Sequence, residues 1–162
     1  MQNMDELYNE YFQTVYKYIF CITRDADLSE ELTQETFYQA LKTYKNFRGD
    51  CKISVWLCQI AKHIWMKECQ KRNKFDYKSL DEVIHTIPAK KCVENEVLEQ
   101  QAKISLYRSL QKLDEKTREV MYLRLTGELS FREIGEILKR NETWARVTFY
   151  RGKQKLAQEG QE

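Results

Sequence analysis

Arg146, Val147, Tyr150, Arg151 and Lys153 crowd together near the C-terminal end of the chain. A helix through them exposes all five. Arginine can bond a guanine edge with two parallel hydrogen bonds, and Val147 or Tyr150 can touch a thymine methyl. Lysine suits a phosphate oxygen, which positions a protein on DNA without reading sequence. The residues upstream supply a scaffold. Ser130 and Glu133 have the spacing of a capping box that opens a short helix. Asn141 can cap a second helix. Ile134, Leu138 and Ala145 are placed to pack the two across a tight turn, with Gly135 as the small residue at their crossing. Residues 130–154 thus have the spacing of a helix-turn-helix, whose second helix enters the major groove. The plain alternative is a helical hairpin with a solvated basic face.

Other chemistry is poorly provided for. The five cysteines (Cys21, Cys51, Cys58, Cys69, Cys92) form no C-x-x-C pair and match no common zinc spacing. They read as reduced, small apolar residues rather than as redox or metal groups. His63 and His85 lie far apart with no evident acid or nucleophile partner. Phosphate-loop, nucleophile-elbow and H-E-x-x-H motifs are missing from the sequence. An enzyme is not expected, nor is a metal or cofactor.

The net charge of +2 over 162 residues hides a strong pattern. Residues 1–41 carry eight acids and two bases, and residues 42–78 carry ten bases and three acids. Residues 79–138 carry nine bases and eleven acids, and residues 139–162 six bases and three acids. Two basic patches on acidic scaffolding fit a polyanion touched at two places.

One Pro and five Gly favour long helices. No stretch approaches the ~18 apolar residues of a membrane span, and the acidic start does not read as a signal peptide. A first helix is expected over about Met4–Ile22. Its face combines Leu7, Tyr11, Val15 and Ile19 with Tyr8, Phe12, Tyr16 and Phe20. Asp27 and Glu30 offer a capping box for a second helix to about Tyr44, with Leu28, Leu32, Phe37, Ala40, Leu41 and Tyr44 inward. A turn at Phe47–Asp50 precedes a third helix, Ile53 to about Gln70, with Trp56 inward. Residues 73–93 lose periodicity and contain Pro88, as a linker does. Helices resume near Glu94, again over about Glu115–Leu125, and then in the two-helix unit, ending near Ala157. The expected fold is all-α: two small helical domains, residues 1–73 and 94–162, joined by a flexible linker at 74–93.

Four stretches in this order resemble bacterial RNA polymerase sigma factors of the sigma-70 family, extracytoplasmic function (ECF) group. Glu31-Leu32-Thr33-Gln34-Glu35-Thr36-Phe37 is similar to the polymerase-binding helix of region 2. Phe47-Arg48-Gly49-Asp50 with Val55-Trp56-Leu57 and Ile60-Ala61 resembles the part that reads the −10 element. Leu113 through Arg118-Glu119-Val120, with Leu123-Arg124, resembles the start of region 4. Ser130–Gly135 and Trp144–Arg151 resemble its helix-turn-helix.

The resemblance implies a dissociable sigma subunit that directs core polymerase to promoters and helps to open the −10 region. It implies polymerase contact through Glu31, Gln34 and Glu35. It implies −10 contact through Phe47, Arg48, Gly49, Asp50, Lys62, His63 and Lys67, and −35 contact through Arg146, Val147, Tyr150, Arg151 and Lys153. The implied partners are the β′ clamp helices and β flap of core RNA polymerase, promoter DNA and an anti-sigma factor, membrane-anchored. No small-molecule substrate is implied. The implied setting is an envelope-stress response in the cytoplasm. Four positions depart from the family pattern: His63 stands where asparagine is frequent, Lys139 where glycine often makes the turn, Arg140 at a commonly apolar place, and Ala145 where valine is usual. A stand-alone helix-turn-helix regulator is the rival reading, but it leaves the acidic second helix and the basic third helix without a role.

Overall fold

The computed structural model describes residues 3–75 and 97–159. Among these the chain consists of helices and short connections, with no strand. The first half contains α1 (Met4–Thr23), α2 (Ala26–Thr43), a short 3-10 turn (Tyr44–Asn46) and α3 (Ile53–Phe75). The second contains α4 (Val97–Gln111), α5 (Glu115–Leu125), α6 (Phe131–Leu138) and α7 (Glu142–Glu159). The expected linker with Pro88 lies largely outside the described residues, as do His85 and Cys92.

In the first half α1, α2 and α3 pack mutually. α1 ends at Arg24, in the left-handed region with φ 59°, whose N–H donates to the Phe20 carbonyl. α2 is capped by Asp25, whose carboxylate accepts from Leu28 N–H at 3.0 Å. The expected Asp27–Glu30 box does not form there. The shorter break lets α2 start at Ala26, which moves the orphan amides two residues upstream.

The buried face of α1 also differs from expectation. Leu7, Val15, Tyr18, Ile19, Cys21 and Ile22 are inside. Tyr8, Phe12, Tyr16 and Phe20 form an aromatic row along its flank, continued by Tyr107 of α4. Because α1 touches α5 as well as α2 and α3, its buried stripe widens toward Tyr18 and Cys21. On α2, Leu41 is exposed instead of inward.

In the second half α7 crosses α5 and α6. Ser130 and Glu133 form the expected reciprocal capping box. Asn141 Oδ1 accepts from Trp144 N–H at 2.7 Å. Gly135 is required by the crossing: a Cβ there would meet the Arg140 carbonyl oxygen at 2.6 Å. The turn between the helices runs through Lys139, in the left-handed region at φ 56°.

The halves also touch, α1 against α5 and α3 against α6. One continuous apolar core runs from Val15 and Leu57 to Met121 and Phe149. α5 lies at its centre, with every residue from Thr117 to Leu123 buried.

Candidate nucleic-acid interface

The second helix of the helix-turn-helix presents one continuous polar and aromatic face. Arg146, Val147, Tyr150, Arg151 and Lys153 are all exposed, while Ala145, Phe149 and Gly152 on the opposite side are buried. At 100° per residue the five exposed side chains span less than half the helix circumference, so a single groove can meet them all. Two aromatic rings order the cations. The Arg146 guanidinium stands over Phe131 at 5.6 Å, and Arg124 stands over the same ring at 4.3 Å. Lys153 lies 6.0 Å from the Tyr150 ring centre. Arg146 also donates to Glu142 at 2.9 Å. Phe131, Arg124 and Glu142 were not legible as part of this face. Phe131 and Arg124 lie on other helices, α6 and α5, and packing brings them to Arg146, whereas Glu142 is one turn before it on α7.

The basic third helix has two faces with different tasks. His63 and Lys67 line an open groove of about 400 Å³ between α2 and α3. Gln39 and Thr43 form one wall, and Trp56, Gln59 and Ile60 the other. Trp56 is only partly buried. It packs on Phe47 with ring centres 4.8 Å apart and on Tyr44 at 6.2 Å, so it is both core wall and groove lining. Phe47 is thereby held, whereas Arg48, Gly49 and Asp50 are exposed beyond it. Gly49 has φ 77°, a conformation that side chains rarely adopt. Gln39, Thr43 and Gln59 are polar groups of this groove that single-sequence reading missed. An apolar stripe reveals what a helix hides, not which polar residues line its neighbour's edge.

Lys62 does not join His63 and Lys67. It is turned about 100° from His63 and donates to Glu119 of α5 at 3.0 Å. Tyr18 of α1 donates to the other oxygen of the same carboxylate. Glu119 is 1% exposed, and burial pushes its carboxyl above the usual range against the opposing pull of Lys62 and Tyr18.

Glu31, Gln34 and Glu35 form an exposed patch on the outer face of α2. Gln39 donates to Glu35 at 2.7 Å, one turn on. Tyr38 and Leu41 are exposed beside them, at 52% and 56%. An acidic face repels a phosphate backbone, so this patch is not a DNA surface.

The buried thiols are chemically quiet. Burial pushes Cys21 and Cys58 up to about 12, so both stay protonated at neutral pH. No group of three or more His, Cys, Asp or Glu residues that could hold a metal occurs among the described residues. Among them, too, no helix is long and apolar enough to cross a membrane.

Comparison with known proteins supplies the frame for these surfaces. The model of Sigma-70 region 2 matches residues 7–75, and that of Sigma-70, region 4 matches residues 103–156. RNA polymerase sigma factor YlaC of Bacillus subtilis (strain 168) is 28% identical over 95% of this chain and 90% of its own length. ECF RNA polymerase sigma factor SigW of the same organism is 30% identical over 90% of this chain and 82% of its own. The fold is similar to that of sigma factor RpoE, solved with the anti-sigma factor NepR from Bartonella quintana. Their TM-score is 0.73 at 14% identity, covering 98% of this chain and 96% of that one. It is also similar to CnrH, solved with the cytosolic domain of CnrY, at a TM-score of 0.64 and 16% identity over 95% and 84% of the chains.

Proposed function

The chain belongs to the extracytoplasmic function group of RNA polymerase sigma factors, and from that membership we propose how its surfaces divide the work. It directs core RNA polymerase to promoters and performs no bond chemistry of its own. The single observation that carries the reading is the match to both sigma regions in order, at residues 7–75 and 103–156. A stand-alone helix-turn-helix regulator would leave the match at 7–75 unexplained.

The first domain, residues 1–73, grips polymerase with the α2 face of Glu31, Gln34 and Glu35. The α2–α3 groove receives the −10 strand: His63 and Lys67 line it, and Phe47, Arg48, Gly49 and Asp50 form the loop at its edge. An unstacked base needs a pocket and cations along the backbone, and the groove with its open loop offers both. The second domain, residues 94–162, places α7 in the −35 major groove with Arg146, Val147, Tyr150, Arg151 and Lys153. Residues 74–93 link them, so that each contact raises the effective concentration of the other. The cost of unstacking a −10 step, a few kcal/mol, is offset by base capture and phosphate contacts.

One solved neighbour is in complex with an anti-sigma factor, NepR. The same control, in the cytoplasm and in response to envelope stress, is the setting that we propose. The test is direct: purified protein is added to core RNA polymerase and a promoter library. Specific run-off transcripts are expected. Absence of both core binding and transcripts in folded protein overturns the reading.

A further inference from the structure

Lys62 and Lys52, which face the second half, each have an acid against them: Glu119 at 3.0 Å and Glu133 at 3.6 Å. Where α1 ends and α4 passes into α5, two arginines do not. Arg118 of α5 is 4% exposed. None of the ion pairs among the described residues includes it or Arg24. A guanidinium withdrawn from water is costly unless an anion and hydrogen-bond acceptors replace the solvent. Arg118 reaches one carbonyl, that of Leu113, through a terminal nitrogen at 3.3 Å. Its Nε–H has no acceptor.

No neighbouring acid serves instead. Burial pushes the Cys21 thiol up to about 12 despite the pull of Arg118, and burial likewise raises the hydroxyls of Tyr107 and Tyr122. All three stay neutral. Of the carboxylates within electrostatic reach, Glu115 is exposed and accepts from the Trp65 indole at 3.4 Å, while Glu119 is taken by Tyr18 and Lys62.

The groups around the unpaired guanidinium converge. Arg24, exposed at the end of α1, donates to the Gln111 carbonyl at 2.9 Å. Its own guanidinium lies close enough to Arg118 for the two to repel. The side-chain amide of Gln111 is buried, with neither its nitrogen nor its oxygen partnered. Tyr107 stands beside both arginines and donates to the Phe20 carbonyl at 3.2 Å. Two like charges around an unsatisfied amide are stable together when they share an anion. Both guanidiniums and the Gln111 Nε2 offer donors to it. The Gln111 Oε1 is an acceptor, so the anion must also carry a hydrogen. Sulfate and a phosphodiester bring none at neutral pH, whereas hydrogen phosphate does.

We propose that Arg118, Arg24 and Gln111 form a binding site for a hydrogen-bearing phosphate, with Arg118 at its floor and Arg24 on its solvent side. None of the three belongs to the surfaces assigned above to polymerase or DNA, and the site stands independently of the sigma reading.

Isothermal titration of the full-length protein compares inorganic phosphate, methyl phosphate and sulfate. It is run at constant ionic strength and about pH 6, where a phosphomonoester keeps its second proton on about half of its molecules. Circular dichroism establishes folding and follows melting. Inorganic phosphate is expected to bind one to one and to raise the melting temperature. Sulfate is expected to bind about tenfold more weakly, because it leaves a buried acceptor unpaired. Methyl phosphate bound as well as inorganic phosphate identifies the ligand as a phosphomonoester; its exclusion identifies free phosphate. Arg24→Ala, at an exposed position, is expected to weaken phosphate binding about tenfold or more. Gln111→Glu supplies a carboxylate of the protein's own beside both arginines. It is expected to abolish phosphate binding and to melt higher than wild type in phosphate-free buffer. Absence of saturable phosphate binding to folded wild-type protein overturns the site. Binding that survives unchanged in both variants overturns it too, because the ion then sits on the basic surfaces elsewhere. Equal affinity for phosphate and sulfate overturns the assignment of a hydrogen-bearing ion.

Discussion

Arg146 donates to Glu142 at 2.9 Å while its guanidinium stands over Phe131. On an exposed helix the ion pair alone is worth little to stability, but it fixes the direction of the guanidinium fork, which the proposed role in −35 contact needs. Arg146→Ala and Arg151→Ala should each weaken −35 binding by about 1–3 kcal/mol and leave core binding intact. Filter binding and core titration check both halves of that statement, and loss of core binding instead would show that the surfaces are misassigned. His63→Asn is expected to change the preferred −10 base in a selection on randomised promoters. The same preference across all four bases would remove His63 from the groove. The exposure of Arg146, Arg151 and Lys153 on α7 is readable from spacing. The burial of Glu119 is not. Its neighbours one turn away are Glu115, Lys116, Tyr122 and Leu123, which give no apolar stripe to mark it as buried. Lys62 and His63 are adjacent in sequence and were grouped for that reason, yet a helix turns them to different partners.

Helix ends carry the next set of consequences. Lys139 occupies the left-handed turn between α6 and α7 without being a glycine, at a steric cost of roughly 1–2 kcal/mol. Lys139→Gly should raise thermal stability by up to about 1 kcal/mol, whereas Gly135→Ala should lower it by about 1–3 kcal/mol through the clash with the Arg140 carbonyl. Calorimetry of the two variants gives opposite signs if the turn is as described. Asp114 caps α5, accepting from Thr117 N–H at 3.2 Å. Hydrogen bonding to Thr117 holds its carboxyl below the ordinary value of 3.8. A depressed carboxyl stabilises the fold fully above its unfolded pKa and loses that contribution as pH falls through the folded one. Acid titration of unfolding should therefore show less slope below about pH 4 in Asp114→Asn than in the wild type. An equal slope would mean that the cap does not bear charge. Caps were the best-read local feature where the box was complete, as at Ser130 and Glu133. At the start of α2 two aspartates compete: the Asp27–Glu30 spacing points to Asp27, but Asp25 is the cap. The sequence around both allows either, and the left-handed Arg24 just before Asp25 decides it.

At the scale of the molecule, two helical halves matching two sigma regions in order are readable from the sequence, because each half has its own apolar periodicity. Their closure is not. Contacts such as Tyr18 with Glu119 or Arg24 with the Gln111 carbonyl join residues far apart in sequence, and no local pattern announces them. The acid-facing contacts of α3 explain why the net charge of +2 conceals a nucleic-acid binder. In the closed form the basic stretch and the acids of the second half neutralise each other in space, as they do in the sum. Raising ionic strength should therefore weaken the exposed Lys52–Glu133 pair while leaving the buried Lys62–Glu119 pair largely unscreened. Scattering across a salt series is expected to show persistent closure; full opening at moderate salt would place the holding energy in the outer pair.

α5 has no solvent-facing stripe between Thr117 and Leu123. A saturation library scored for transcription would record this as a tolerance profile without rhythm. Along α6, where Arg132 and Glu136 are exposed and Ile134 and Ile137 buried, permitted substitutions should rise and fall with the helical turn. Along α5 they should be uniformly scarce.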